Sequence, residues 1–211
     1  MTAALPMGVV AVLSLGVAAW SVLAYALLPL GAAVHPDMRA AFEAQRAVVY
    51  VHAYAAAFAL ALGPLQFSAR LRAARPALHR WTGRLYLGVG VAIGGVAGLA
   101  MAPQAYGGTV ARAGFAALAL AWLYTGLRAW RAIRARDVAA HRRWMVRNFA
   151  LTFAAVTLRL WLPVSVVSGL PLALAYPGIA WLCWVPNLWV AEFMILGRSR
   201  PARAAVNRNN R

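Results

Sequence analysis

The sequence has no lysine and only four acidic residues, Asp37, Glu43, Asp137 and Glu192, in 211 positions. Its 21 basic side chains are therefore all arginines, and the formal charge is +17. Charged residues of both signs make up 12% of the chain, about half of the ~25% usual in a soluble domain. There is a single cysteine, Cys183, so an intrachain disulfide and a thiolate metal cluster are both excluded. HExxH, P-loop, GxSxG and CxxC patterns are all missing, which leaves hydrolase and nucleotide-binding readings without a basis.

Apolar residues fill the space: 64% of the chain is hydrophobic and the mean hydropathy is +0.67. A helix rising ~1.5 Å per residue needs about 20 apolar residues to cross a hydrocarbon core of ~30 Å. Six runs satisfy this, approximately Pro6–Leu30, Ala47–Phe67, Trp81–Ala102, Ala113–Ile133, Asn148–Val167 and Pro177–Leu196. The expected fold is all-α, a polytopic transmembrane bundle of about six helices. It forms one domain over residues 1–197, followed by a basic, disordered tail over 198–211. The first run has no positive residue before Arg39 and is too long for the apolar part of a cleaved signal peptide, so it is expected to be retained.

The arginines are distributed unevenly. The loops between runs two and three and between runs four and five, together with the tail, hold 17; the alternate loops hold three, Arg39, Arg46 and Arg112. By the positive-inside rule both chain ends lie in the cytoplasm. Short arginine clusters between apolar runs point to membrane lipids as partners and give no reason to invoke nucleic acid.

One arginine breaks this pattern. Arg159 stands about 12 residues into the fifth run, roughly 18 Å deep, too far for easy snorkelling. Asn187, beside Pro186, lies at a similar depth on the sixth run, with Glu192 about 8 Å nearer the cytoplasm. A proline at 186 frees a further carbonyl acceptor. Arg159, Asn187 and Glu192 thus form either a structural clamp or a buried site for an anion or carboxylate.

The histidines offer a second possibility. His52 lies one or two turns into the second run, two residues before Tyr54, while His79 and His141 precede the third and fifth runs at the cytoplasmic boundary. Two imidazoles from different helices at one depth can ligate haem iron or another transition metal, or can simply sit among phospholipid headgroups. His79, Gly83, Tyr86, Gly90, Gly94 and Gly98 share one helical stripe, open to a flat macrocycle or to a close neighbouring helix. His141 and Arg159 are 18 residues apart, five turns of an unbroken helix, with Met145, Asn148 and Thr152 near the same face. Such a stripe is expected to face protein. Pro64 and Pro163 are expected to kink or end their helices, and Gly107-Gly108 to mark a turn.

The segments Leu78-His79-Arg80-Trp81-Thr82-Gly83-Arg84-Leu85-Tyr86, His141-Arg142-Arg143-Trp144-Met145, Thr157-Leu158-Arg159 and Trp184-Val185-Pro186-Asn187-Leu188 resemble the bacterial membrane family labelled domain of unknown function 2306, over about His52 to Glu192. That resemblance implies a bacterial cytoplasmic (inner) membrane protein. The shorter pattern Leu78-His79-x-Trp81-x-Gly83 is similar to the histidine motif of the cytochrome b561 and ferric reductase group, which hold b-type haem between transmembrane helices. Two-haem members of that group pair histidines near both faces, whereas here only loop residue His35 is available to pair with His52. The likeness therefore implies one haem b, with His79 and His141 on the iron, Arg80, Arg84 and Arg142 near the propionates, and Gly83 and Gly90 along the slot.

Three functions follow as expectations. The first is a haem redox or electron-transfer protein, a membrane oxidoreductase component serving a quinone or a redox partner protein. The second is a proton-coupled small-molecule transporter using Arg159, His52 and Glu192. The third is a non-catalytic membrane scaffold or assembly factor.

Overall fold

The computed structural model describes residues 7–209 apart from Ala33, with side chains as far as Gly197. The tail expected over 198–211 falls outside the residues whose side chains are described. Six helical segments are long and apolar enough to cross a membrane, and the described residues contain no strand. The segments, here spans one to six, are Met7–Leu27, Arg46–Phe67, Pro76–Gln104, Gly108–Arg134, Val138–Val167 and Leu172–Gly197.

The edges differ from the apolar runs in ways that matter for the histidines. Span three starts at Pro76, because a proline at the first helical position is pre-set to helical φ and has no N–H to leave unpaired. His79 therefore lies within the helix instead of in the loop before it. Span five starts at Val138, where Asp137 caps the helix by accepting from the Ala140 N–H at 2.8 Å. His141 is likewise helical. Hydropathy missed both starts because arginines follow the first turn closely, Arg80 and Arg84 in span three and Arg142, Arg143 and Arg147 in span five.

Three spans are internally irregular. Span three is π-helical over Tyr86–Ile93, an extra-wide turn of the kind that often accompanies functional or tightly packed sites. Span five is divided at Phe153 into Val138–Thr152 and Ala154–Val167, so the unbroken five-turn register from His141 to Arg159 does not hold. Span six is divided at Cys183 and Trp184 into Leu172–Leu182 and a piece starting at Val185. Pro186 then falls in the first turn of the second piece, where its missing N–H costs nothing. Pro64, Pro163 and Pro177 stay within helices.

Span two packs between spans one and three, and the first half of span five lies against spans two, four and six. The main core joins Ala59, Tyr86, Val91, Trp122, Met145, Phe149 and Trp184 from spans two to six. A smaller core of Ala18, Ala57, Leu60 and Val156 joins spans one, two and five. Two of the arginine-poor connections meet at one end of the bundle, where the Tyr106 hydroxyl donates to Asp37 Oδ2 at 3.1 Å. Nearby, Trp181 Nε1 of span six donates to the Val110 carbonyl at the start of span four at 3.1 Å. The arginine-rich connections lie at the other, where Arg147 forms an ion pair with Glu192.

Candidate functional site

A buried polar group in a membrane needs a partner inside the protein, so each one can be followed to where it is satisfied. At the centre, spans three, four and five share a closed network. The Tyr86 hydroxyl donates to Asn148 Oδ1 at 2.7 Å and lies 2.7 Å from Thr152 Oγ1. Trp122 Nε1 donates to Thr152 Oγ1 at 2.9 Å, and Asn148 Nδ2 donates to the Trp122 carbonyl and to Thr125 Oγ1 at 2.8 and 2.9 Å. Tyr86 and Asn148 are fully buried and both amide hydrogens of Asn148 are used. A satisfied network of this kind fixes helix register and offers nothing to a ligand. The expectation that Asn148 and Thr152 face protein holds.

The residues expected around Arg159 on span six are engaged elsewhere. Glu192 accepts both Nε and Nη2 of Arg147, the latter at 2.7 Å. Asn187 Nδ2 donates to Thr157 Oγ1 at 3.1 Å and the Cys183 carbonyl at 3.0 Å. The Thr157 hydroxyl donates to the same Cys183 carbonyl. Asn187 and Thr157 therefore satisfy the backbone opened by the break in span six. Neither Asn187 nor Glu192 hydrogen-bonds Arg159.

The stripe on span three is closed by span two. A β-carbon on Gly83 would lie 2.9 Å from Gln66 Oε1, and one on Gly90 would lie 2.6 Å from Ala59 Cβ. On Gly94 it would meet Ala55 and Trp122 at 3.3 Å, and on Gly98 the His52 ring at 2.9 Å. Each glycine admits a neighbouring side chain or backbone, as in close helix packing. A macrocycle does not fit along Gly83 and Gly90, because span two already occupies that face.

His79 and His141 do approach each other at the arginine-rich end, closely enough for the charge of one to act on the other. His141 Nδ1 is 2.9 Å from the Ala129 carbonyl, so that nitrogen carries the hydrogen. Arg80 also acts on His79, Arg84 stacks on Trp81 at 5.3 Å, and Arg142 is exposed.

The groups with unused capacity gather at the other end, around Arg159. Its position is eight residues before the end of span five, about 12 Å along the helix. Nη1 donates to the Ala155 carbonyl at 2.9 Å and Nη2 to Ser21 Oγ of span one at 2.9 Å. The guanidinium thus reaches span one, not span six. Ala18 and Val156, one turn below Ser21 and Arg159, belong to the small apolar core and form a dry floor. The charge of Arg159 acts on Tyr25 and on His52.

His52 Nδ1 is 2.8 Å from the Gly94 carbonyl, which fixes the hydrogen on Nδ1 and leaves the Nε2 lone pair free to accept. Tyr25 packs edge-on to Tyr50 at 5.9 Å, and Tyr50 stacks with Tyr54 at 6.1 Å. A cleft lined by Ala24, Tyr25, Pro29, Gly31 and Val34 opens beside Tyr25.

No side-chain carboxylate neutralises Arg159. Glu43 pairs with Arg46 at 2.6 Å, Glu192 with Arg147, Asp37 with Tyr106, and Asp137 caps span five. These four are all the acids in the chain. Sequence reasoning found Arg159 and His52 but missed Ser21, Tyr25 and Tyr50. Two serines in the apolar first span, Ser14 and Ser21, were the available signal, and it did not single out Ser21.

The sequence model of a family described as Predicted membrane protein (DUF2306) matches residues 49–195. No curated protein and no solved structure matches the chain.

Proposed function

The chain belongs to the DUF2306 family of predicted membrane proteins, and we propose that it is a multi-pass carrier for a small amphiphilic anion, held at Arg159 between spans one, two and five. The observation that carries this reading is a membrane-embedded guanidinium whose hydrogen-bond partners among the described residues are a carbonyl and a hydroxyl, with all four side-chain carboxylates committed elsewhere. An unneutralised charge in a span costs about 2.5–3.5 kcal/mol even on the mildest scales. A ligand carboxylate or phosphate offsets that cost through charge-assisted, bidentate hydrogen bonds. In this reading His52 and Tyr25, both within the influence of the Arg159 charge, would meet the rest of the head group, and the rings of Tyr25, Tyr50 and Tyr54 would suit an apolar body.

The breaks in spans five and six support a carrier over a rigid scaffold, because divided helices let the half-helices move as separate pieces. In this reading the arginine-rich end faces the cytoplasm of a bacterial inner membrane, with both chain ends inside, as the 17-to-three arginine distribution supports.

Equilibrium binding to the purified protein tests the proposal, using dodecanoate, its methyl ester and a short-chain neutral quinone as probes. Dodecanoate alone should bind and raise the melting temperature by mass action, and Arg159→Lys should weaken it about tenfold or more through loss of the planar fork. Equal binding of the ester or the quinone, or unchanged affinity in Arg159→Lys, overturns it.

A further inference from the structure

Arg128 and Trp144 stand at one level of the hairpin formed by spans four and five. Arg128 lies six residues before the end of span four, and Trp144 six residues after the start of span five, each about 9 Å from its end of the hairpin. Here the apolar runs give way to arginine, and Trp130, 51% exposed, lies close by. Exposed indoles at such a boundary mark headgroup depth.

Arg128 is exposed, yet partners from two helices hold it. Its Nη1 donates to the hydroxyl of Tyr124, one turn back on span four, at 2.7 Å. Its Cζ lies 4.6 Å from the centroid of the Trp144 ring and 5.6 Å from that of Tyr124, both within cation–π range. The two rings meet edge-on at 5.7 Å, and Trp144 packs against the main core. The guanidinium is therefore ordered before any ligand arrives, which lowers the entropic cost of binding. Arg84 and Arg134 also stack on indoles, Trp81 and Trp130, but each does so only within its own helix.

The charge held in this way is uncompensated. Arg147, whose Cζ lies 4.7 Å from the same Trp144 centroid, is neutralised by Glu192. Asp37, Glu43 and Asp137 bond to Tyr106, Arg46 and the Ala140 N–H, so no side-chain carboxylate serves Arg128. Nε and Nη2 of Arg128 make no hydrogen bond among the described residues. The Tyr124 hydroxyl accepts from a group that can only donate, so its own hydrogen is free to be given. Leu120, Tyr124 and Leu127, all exposed, follow steps of four and three and share one face of span four.

We propose that Arg128, with Tyr124 beside it and the Trp144 ring as its platform, binds the phosphate of an anionic phospholipid on the outer surface of the hairpin. The phosphodiester accepts from the free edge of the guanidinium and from the phenol, and an acyl chain runs along Leu120 toward the bilayer centre. Charge selects the headgroup: a zwitterionic lipid brings its own cation to a surface already rich in arginine, whereas an anionic lipid brings none. The site is separate from Arg159, which lies toward the opposite end of span five.

Native mass spectrometry of the full chain, released from detergent micelles and titrated with short-chain phosphatidylglycerol or phosphatidylcholine, tests the assignment. Phosphatidylglycerol should bind the more tightly, and Arg128→Gln should weaken it about tenfold, the loss of a charge-assisted contact. Arg128→Lys keeps the charge but loses the planar fork and the stacking, so it should also bind more weakly than wild type. Tyr124→Phe keeps the ring and removes the hydroxyl; a weakening here supports the two-point contact and keeps the test decisive should the Arg128 variants fail to fold. Arg143→Gln, an exposed arginine of the same end, should change nothing. The proposal is overturned if phosphatidylcholine binds as tightly as phosphatidylglycerol, or if Arg143→Gln weakens binding as much as Arg128→Gln. It is equally overturned if Arg128→Lys and Tyr124→Phe both bind as wild type does, since charge alone would then account for the affinity.

Discussion

Replacing Gly90 by alanine adds one methyl group at the tightest approach of spans two and three. Its β-carbon would lie 2.6 Å from Ala59 Cβ, 3.0 Å from Ala59 Cα and 3.2 Å from Ala59 N. Ala59 is fully buried, so its backbone has nowhere to go. Carbon atoms pack at about 3.5–4.0 Å, so the helices must part by roughly 1 Å. That separation also loosens the close approach at Gly94, where an added β-carbon would lie 3.3 Å from Ala55 and from Trp122. Overpacking of this kind costs about 1–3 kcal/mol, against which alanine recovers up to ~1 kcal/mol of helix propensity. The expected net loss is about 1–2 kcal/mol. Gly88, two residues away with nothing within 4 Å, supplies the control, and Gly88→Ala should be neutral or slightly stabilising. Unfolding by SDS in mixed micelles, followed by circular dichroism, measures both. A Gly90→Ala protein as stable as Gly88→Ala would refute the reasoning that span two seals the stripe, and would reopen it to a macrocycle.

Asn148→Leu removes three hydrogen bonds from the central network; at about 0.6 kcal/mol each in a membrane protein the loss in the same unfolding assay should be about 2 kcal/mol. Glu192→Gln halves the ion pair with Arg147 and should lower stability slightly while leaving dodecanoate affinity unchanged, because Glu192 lies outside the Arg159 site. Desolvation, and then the Asp37 carboxylate beside it, hold the Tyr106 phenol above its ordinary value of 10. A raised folded value means that its contribution is present below the unfolded pKa and is lost as pH climbs through the folded one; an ultraviolet titration should place Tyr106 lower in Asp37→Asn than in wild type. Accessibility tags near Arg75 and Arg136 should report cytoplasm, and tags near Gly108 and Ala173 the opposite side; a cytoplasmic tag at Gly108 would break the proposed orientation.

The spans were legible because hydropathy over 18 or more residues is a long-range average that few local choices disturb. The starts of spans three and five were not, since Pro76 and Asp137 start helices just ahead of arginines that hydropathy scores as loop. Arg159 stood out as a charge in an apolar run, but its partner did not. Depth along a straight helix favoured Asn187, whereas the break at Phe153 and the packing of spans one and five bring Ser21 to it. The same limit governs the glycine stripe: periodicity placed Gly90 and Gly98 on one face, and only three-dimensional packing showed that face to be occupied by Ala59 and His52. Pairings between distant spans depend on such breaks and on the π-helical turn, which a regular 3.6-residue period does not encode.

The central claim is that Arg159 holds the ligand's anionic group, and a solid-state NMR distance tests it most directly. Protein carrying 15N-labelled arginine would be reconstituted with dodecanoate labelled with 13C at the carboxyl carbon, and the dipolar coupling between carboxyl and guanidinium measured. The account predicts a close contact of about 4 Å or less, the reach of a bidentate arginine–carboxylate pair, that vanishes in Arg159→Lys while the labelled signals of the other arginines persist. No carboxyl–guanidinium coupling in the wild type, or a coupling that survives Arg159→Lys, would contradict it.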